Sequence, residues 1–203
     1  MSDIYTVGHS AHEIEDFITL LTGANIAAIA DVRSAPYSRR HPQFNREALG
    51  NTLEGRGIRY VFMGAELGGR GPDEPAPGAQ GRVSYASMAQ SPAFNAGVKR
   101  ILAGSQRLAI ALMCAEKEPL NCHRGILISR HLVAHGTPVM HIHADARIES
   151  HRDAEARLCQ MFGLHEPDMF RTGDQILAEA YERQEARIAY VPPANGEQDK
   201  ALR

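Results

Sequence analysis

The sequence predicts an α/β protein of three layers: a mostly parallel sheet of about five strands with helices on both faces, followed by a helical C-terminal extension. Three observations lead there. Short apolar and β-branched runs, typical of buried strands, recur at 4–7, 26–30, 58–63, 108–113 and 138–143. Stretches with apolar residues at helical spacing lie between them. The two kinds of segment alternate through residue 143, which favours parallel strands joined by crossovers; an irregular barrel is the alternative arrangement. We divide the chain into an α/β domain over 1–151 and a helical extension with a frayed tail over 152–203.

Each element has its own signal. The run Ile4-Tyr-Thr-Val7 reads as a strand ending at Gly8, and His9 follows at the strand-to-helix junction. Ser10 with Glu13 reads as a capping box for a helix carrying Ile14, Phe17, Ile18 and Leu21 and closed by Gly23. A second strand, Ile26 to Ala30, runs into Asp31-Val32-Arg33. After a basic cluster at 38–42, a helix from about Asn45 to Glu54 precedes a third strand, Ile58 to Met63. Residues 67–82 are so rich in Gly and Pro that they read as a loop, with a lid as its functional version. Ser91-Pro92 supplies a cap and an N1 proline for the next helix. The central stretch then follows: the apolar run Leu108 to Met113, a polar loop, and a helix from about Cys122 to His135 stopped by Gly136. Pro138 to His143 reads as the last strand, and helical segments end near Met161 and Tyr190.

Composition excludes several function classes. With 22 basic and 24 acidic residues the formal net charge is -2, so no global basic field drives nucleic-acid binding, although a local patch remains open. No run reaches the ~18 apolar residues that span a bilayer, so no membrane association is expected. Three cysteines, an odd number, without an apolar leader argue for a reducing compartment, and we expect a cytoplasmic protein. A homo-oligomer is compatible with all of this.

Several separated motifs point to one family. The residues Thr6-Val-Gly-His-Ser10, Asp31-Val-Arg33 with Pro36 and Ser38, Tyr60 followed by Leu67-Gly-Gly69, Tyr85, Met113-Cys-Ala-Glu116 with Cys122-His-Arg124, and His141-Ile142 resemble the DUF488 family over about residues 4–151. The resemblance implies that these positions form the family's shared site. It implies no reaction.

If the strands are parallel, His9, Asp31, Arg33, Cys114, Glu116 and His143 gather at one sheet edge, with Cys122, His123 and Arg124 across it. Three chemistries suit such a set. The first is an anion site for a phosphate-bearing small molecule or nucleotide: Arg33 and Arg124 bind the anion, Asp31, Ser10, Tyr37, Ser38 and Tyr85 line the site, and Glu116 orients the reacting pair. There Cys122 or Cys114 is a candidate nucleophile with His123 or His9 as acid or base. The outline resembles phosphatases and rhodaneses, yet with five residues between, Cys114 is followed by Leu120 and Cys122 by Ile128, so neither supplies the arginine of a C-x5-R loop.

The second chemistry is zinc or iron bound among Cys114, Glu116, Cys122, His123, His141 and His143. Its C-x7-C spacing is not that of a structural zinc site. The third is a non-enzymatic nucleic-acid module, with Arg33, Arg39, Arg40, His41 and Arg70 on phosphates and Tyr37 or Phe44 stacking on bases; the balanced charge disfavours it. Beside these stand plainer expectations. Cys159 is a small core hydrophobe, Asp31 and Arg33 form a strut, and His12, His131, His135, His151 and His165 carry no role.

Overall fold

The computed structural model describes residues 4–70, 81–164 and 170–192. Five parallel strands, β1 (Ile4–Gly8), β2 (Ala28–Asp31), β3 (Arg59–Phe62), β4 (Ile110–Cys114) and β5 (Val139–Ile142), form an open sheet in the order β3-β2-β4-β1-β5. A short sixth strand, β6 (Ile148–Ser150), adds antiparallel to β5. The sheet is therefore open, as the three-layer reading expects, and gains one short edge strand in a stretch to which the sequence reading assigned no element.

The period of two along each strand sorts side chains to two cores. Val7, Ile29, Ala111, Met113 and Ile142 face α1 (Ile14–Gly23) and α2 (Arg46–Glu54), meeting Phe17, Leu21, Leu49 and Leu53. Ile4, Ala28, Ala30, Leu112, Cys114 and Val139 face the opposite layer. That layer contains α3 (Gly64–Leu67), α4 (Tyr85–Gln90), α5 (Pro92–Ser105), α6 (Arg130–Ala134), α7 (His151–Met161) and α8 (Gly173–Ile188). A π-helical segment, Arg124–Ser129, leads directly into α6. Cys114 thus points toward the layer that starts with Cys122 and His123.

The caps show where local chemistry decided. Ser91 accepts from the Phe94 amide and Pro92 occupies the first turn of α5, as the Ser-Pro pair predicts. The capping box expected of Ser10 and Glu13 does not form. Ser10 sits at φ 48°, its amide donates to the Ala115 carbonyl at 3.0 Å, and α1 begins only at Ile14 with Glu13 as a cap that makes no side-chain bond. A cross-loop bond outcompeted the local one. Most of the expected lid, residues 71–80, lies outside the described residues, as do His165 and the tail from 193.

A buried polar chain joins the sheet to the last two helices. Thr6 Oγ1 lies 2.7 Å from His141 Nδ1, His141 Nε2 lies 2.8 Å from His151 Nδ1, and His151 Nε2 lies 2.8 Å from the Tyr181 hydroxyl, which donates to Glu155 at 2.8 Å. Read from that last donor backwards, each imidazole gives one proton and receives one, so both are neutral. Burial holds the pKa of His151 down to about 4, and burial followed by the neighbouring His151 holds His141 well below its ordinary value. His151, expected to carry no role, is the hinge of this seam.

The linkage has a definite sign. The unfolded chain protonates these rings near pH 6.5, whereas the folded chain refuses the proton until about pH 4 for His151. Stability is complete above pH 6.5 and is lost as pH falls through that window. Urea unfolding of His151→Gln should show a slope of stability against pH, between 6.5 and 4.5, shallower by about 1.4 kcal/mol per pH unit. An unchanged slope would mean that this ring is not held neutral by the fold.

Candidate functional site

Because the strands run parallel, Gly8, Asp31 and Cys114 end at one edge of the sheet, and the loops that follow them build the site. Its anchor is Arg124. The side chain is 1% exposed, its Nη1 donates to the Glu116 carbonyl at 2.6 Å, and its Nη2 donates to the Lys117 carbonyl at 3.0 Å. These bonds fold the loop after β4 back over the sheet edge. Gly8 permits the fold: a Cβ there would collide with the Glu116 carbonyl and crowd Nη2 of Arg124.

The fold-back brings three chemical groups to one point. Sγ of Cys114, Sγ of Cys122 and a ring nitrogen of His123 all lie within 4.8 Å of one another. His123 Nδ1 is 3.6 Å from Cys122 Sγ and 3.9 Å from Cys114 Sγ. On its far side, Nε2 lies 3.0 Å from the Val32 carbonyl, which can only accept, so Nε2 carries the proton and Nδ1 presents a bare lone pair to the sulfurs. Gly69 backs the ring; a Cβ at that position would come within 2.6 Å of it.

The two thiols are electrostatically unequal. Burial pushes the Cys122 thiol up, but a hydrogen bond from Cys114 and then the Arg124 charge overcome it and hold its pKa well below the ordinary thiol value. The same hydrogen bond, with burial, holds Cys114 well above it. The Arg124 amide adds a donor 3.5 Å from Cys122 Sγ. The two thiols thus share one hydrogen bond, with Cys114 as the donor and Cys122 as the acceptor.

Above the cluster opens a polar cleft of about 260 Å³, lined among others by Arg33, Ser34, Arg70, Glu116, Asn121 and Tyr190. The Arg33 guanidinium is held bidentately by Asp31, at 2.9 and 2.6 Å, and donates to the Phe44 carbonyl at 2.8 Å. Tyr60 donates to the same carboxylate at 2.6 Å. The remaining Arg33 nitrogen faces His9 Nε2 at 3.2 Å while His9 Nδ1 donates to the Ser10 carbonyl, so both ring nitrogens of His9 are engaged. Burial, then Arg33, lowers the His9 pKa to about 4.

The remaining candidates separate. Tyr85 lines the cleft, and burial raises its phenol pKa. Glu116 is exposed and lines the same cleft. Tyr37 and Ser38 line a different, neighbouring cleft with Arg39, Arg40 and His41. His141 belongs to the buried seam, and His143 lies beyond β5, paired with Glu149 at 2.8 Å, so neither joins the cysteines. Sequence reasoning missed Ser34, Asn121 and Tyr190, as well as Gln184, whose amide reaches from α8 to the Leu120 carbonyl and Asn121 and steadies the cysteine loop. Gln184 follows the Ile176–Ala180 face of α8 at helical spacing, which was its only signal.

The fold and this cluster define an open α/β protein with a Cys-Cys-His group at the C-terminal edge of its central strands. The family model described as Domain of unknown function DUF488 matches residues 13–131, and the chain belongs to that family. No curated protein and no solved structure matches it.

Gly8→Ala tests the fold-back. The added methyl must displace backbone rather than a flexible side chain, so urea denaturation should show a loss of about 1–3 kcal/mol, the usual cost of overfilling a packed site. A neutral effect would show that the loop does not need its close approach to β1.

Proposed function

We propose that Cys114, Cys122 and His123 hold a divalent transition metal, zinc or iron, and that the protein is a metal-dependent enzyme acting on a small anionic molecule in the cleft above them. One observation carries the reading: two sulfurs and a tautomer-fixed imidazole nitrogen converge on a common point. With metal–sulfur bonds of about 2.3 Å and metal–nitrogen bonds of about 2.0–2.1 Å, a tetrahedral zinc ion separates S from N by about 3.6 Å. The separations here, 3.6 and 3.9 Å, lie at and just above that edge. The Val32 carbonyl supplies the outer-sphere bond that orients a ligating histidine.

Three protein ligands leave one position, and the cleft borders it. An open position is what separates a catalytic centre from a structural one. Metal in this position supplies Lewis acidity and an acidified water. The chain's own groups do the rest. Arg124 offsets thiolate charge from below, Arg33 gives the cleft wall a fixed cation, and exposed Glu116 at the cleft serves as proton acceptor.

A second reading rests on the lowered Cys122 thiol: without metal, Cys122 is a nucleophile and Cys114 its hydrogen-bond donor. One experiment separates the two. Protein purified without chelator or immobilised nickel should carry one equivalent of zinc or iron by elemental analysis, and Cys122→Ser and His123→Ala should lose it while remaining folded. Metal-free protein with a single fast-reacting thiol would overturn the metal centre in favour of the nucleophile.

The outer sphere gives a graded version of the test. Gly69→Ala would set a methyl against Cγ and Nδ1 of the His123 ring and push the ligating nitrogen off its position, and chelator competition should show metal affinity about 10- to 100-fold weaker.

A further inference from the structure

The loop after β2 carries a second cleft, of about 570 Å³, lined by Tyr37, Ser38, Arg39, Arg40, His41, Pro42 and Asn45. Among the described residues no carboxylate stands in that lining. Arg39 and Arg40 are both exposed, and among the described residues neither has an ion-pair or hydrogen-bond partner. By contrast Arg33, Arg56, Arg100, Arg147, Arg157 and Arg183 each meet an acidic side chain; exposed Arg59 and Arg107 meet none among the described residues, but only Arg39 and Arg40 stand next to each other in a cleft. Two adjacent guanidiniums left together repel each other, and an anion between them relieves the repulsion.

The loop that holds them is built rather than slack. The Ser38 amide donates to Asn45 Oδ1 at 2.6 Å, the His41 amide donates to Ser38 Oγ at 3.1 Å, and the Arg46 amide donates to the Pro36 carbonyl at 3.0 Å. Phe44 anchors the far end, fully buried and stacked on His9 at 4.3 Å. Its carbonyl accepts from Arg33, the residue that lines the metal-site cleft. Residues 33–35 border one cleft and residues 37–42 the other, so a single short segment joins them.

We propose that Arg39, Arg40 and His41 form the phosphate-binding end of the substrate site, and that the substrate is a small phosphate monoester whose other end reaches the Cys114–Cys122–His123 centre. Guanidinium forks match a phosphate bidentately, and His41 adds a third nitrogen to the same cleft. Tyr37, 49% exposed with its hydroxyl tied to Glu47 at 2.8 Å, presents a fixed aromatic ring beside it. A nucleotide would use that ring for its base and a sugar phosphate would not. The assignment deepens the metal-centre reading and rests on it for the reacting end, while the phosphate end stands on its own residues.

Calorimetric titration tests it with inorganic phosphate, a nucleoside monophosphate, the matching nucleoside, a sugar phosphate and a short single-stranded oligonucleotide. The phosphate-bearing small molecules should bind and the nucleoside should not. Arg39→Ala/Arg40→Ala should weaken them by at least about tenfold with an unchanged urea midpoint. Tighter binding of the nucleotide than of the sugar phosphate, lost in Tyr37→Ala, marks a nucleotide; equal binding marks a non-nucleotide ester. Unchanged affinity in the double variant overturns the proposal, and so does an oligonucleotide that binds far more tightly than the monophosphate. Metal content of the same samples keeps the two readings apart. Phosphate binding that depends on the arginines in metal-free protein leaves the loop standing and removes the centre; retained metal with no phosphate binding does the reverse.

Discussion

The site depends on one buried charge. Taking a guanidinium out of water is costly unless its donors are satisfied and its charge is met. Arg124 satisfies two nitrogens with the consecutive carbonyls of Glu116 and Lys117, and Nε has no partner among the described residues. Its charge is met by Cys122, whose pKa it helps to lower. Placing the arginine therefore places the loop, and placing the loop puts Cys122 and His123 opposite Cys114. The same residue that would balance thiolates supplies the scaffold that assembles them.

Arg33 plays the corresponding part on the next loop. Its bonds to Asp31 and the Phe44 carbonyl tie β2 to the basic segment, and Tyr60 on β3 secures the carboxylate. His9 lies between Arg33 and Phe44, engaged at both nitrogens and stacked on the ring. Such a group positions its neighbours, since no lone pair is left to take a substrate's proton. The sheet edge thus separates work by burial: Arg33, Asp31, His9 and Arg124 hold shape from inside, whereas Arg39, Arg40 and Glu116 face solvent.

Much of the fold was legible because it rests on local, periodic signals. Continuous apolar runs gave β2 and β4, Ser91-Pro92 gave the start of α5, and alternation gave the parallel sheet. From parallel strands alone it follows that Cys114, Asp31 and His9 share an edge. What local patterns do not carry is which polar group another element will claim. The Ser10 capping box lost to the Ala115 carbonyl across the sheet, and His141 pairs with a histidine from α7 rather than with the cysteines. His151 offered only a polar residue at a helix start. Its importance comes from Tyr181, thirty residues further along the chain, and no spacing rule connects the two.

Charge balance connects the inner and outer parts of the site. In the proposed centre two thiolates cancel a divalent ion, and Asp31 cancels Arg33. Arg124, still beside the Cys122 sulfur, then gives the group one net positive charge in a buried position where screening by salt is weak. With metal bound, the floor of the cleft is net positive, and the loop beyond it adds Arg39 and Arg40. The whole chain is slightly acidic, so this edge stands against the field of the rest of the molecule. A local positive field draws in small anions, and the balanced charge of the rest of the chain offers a long polyanion no extended basic track. In the proposed site that contrast would favour a compact phosphate ester over a nucleic-acid strand on the same residues.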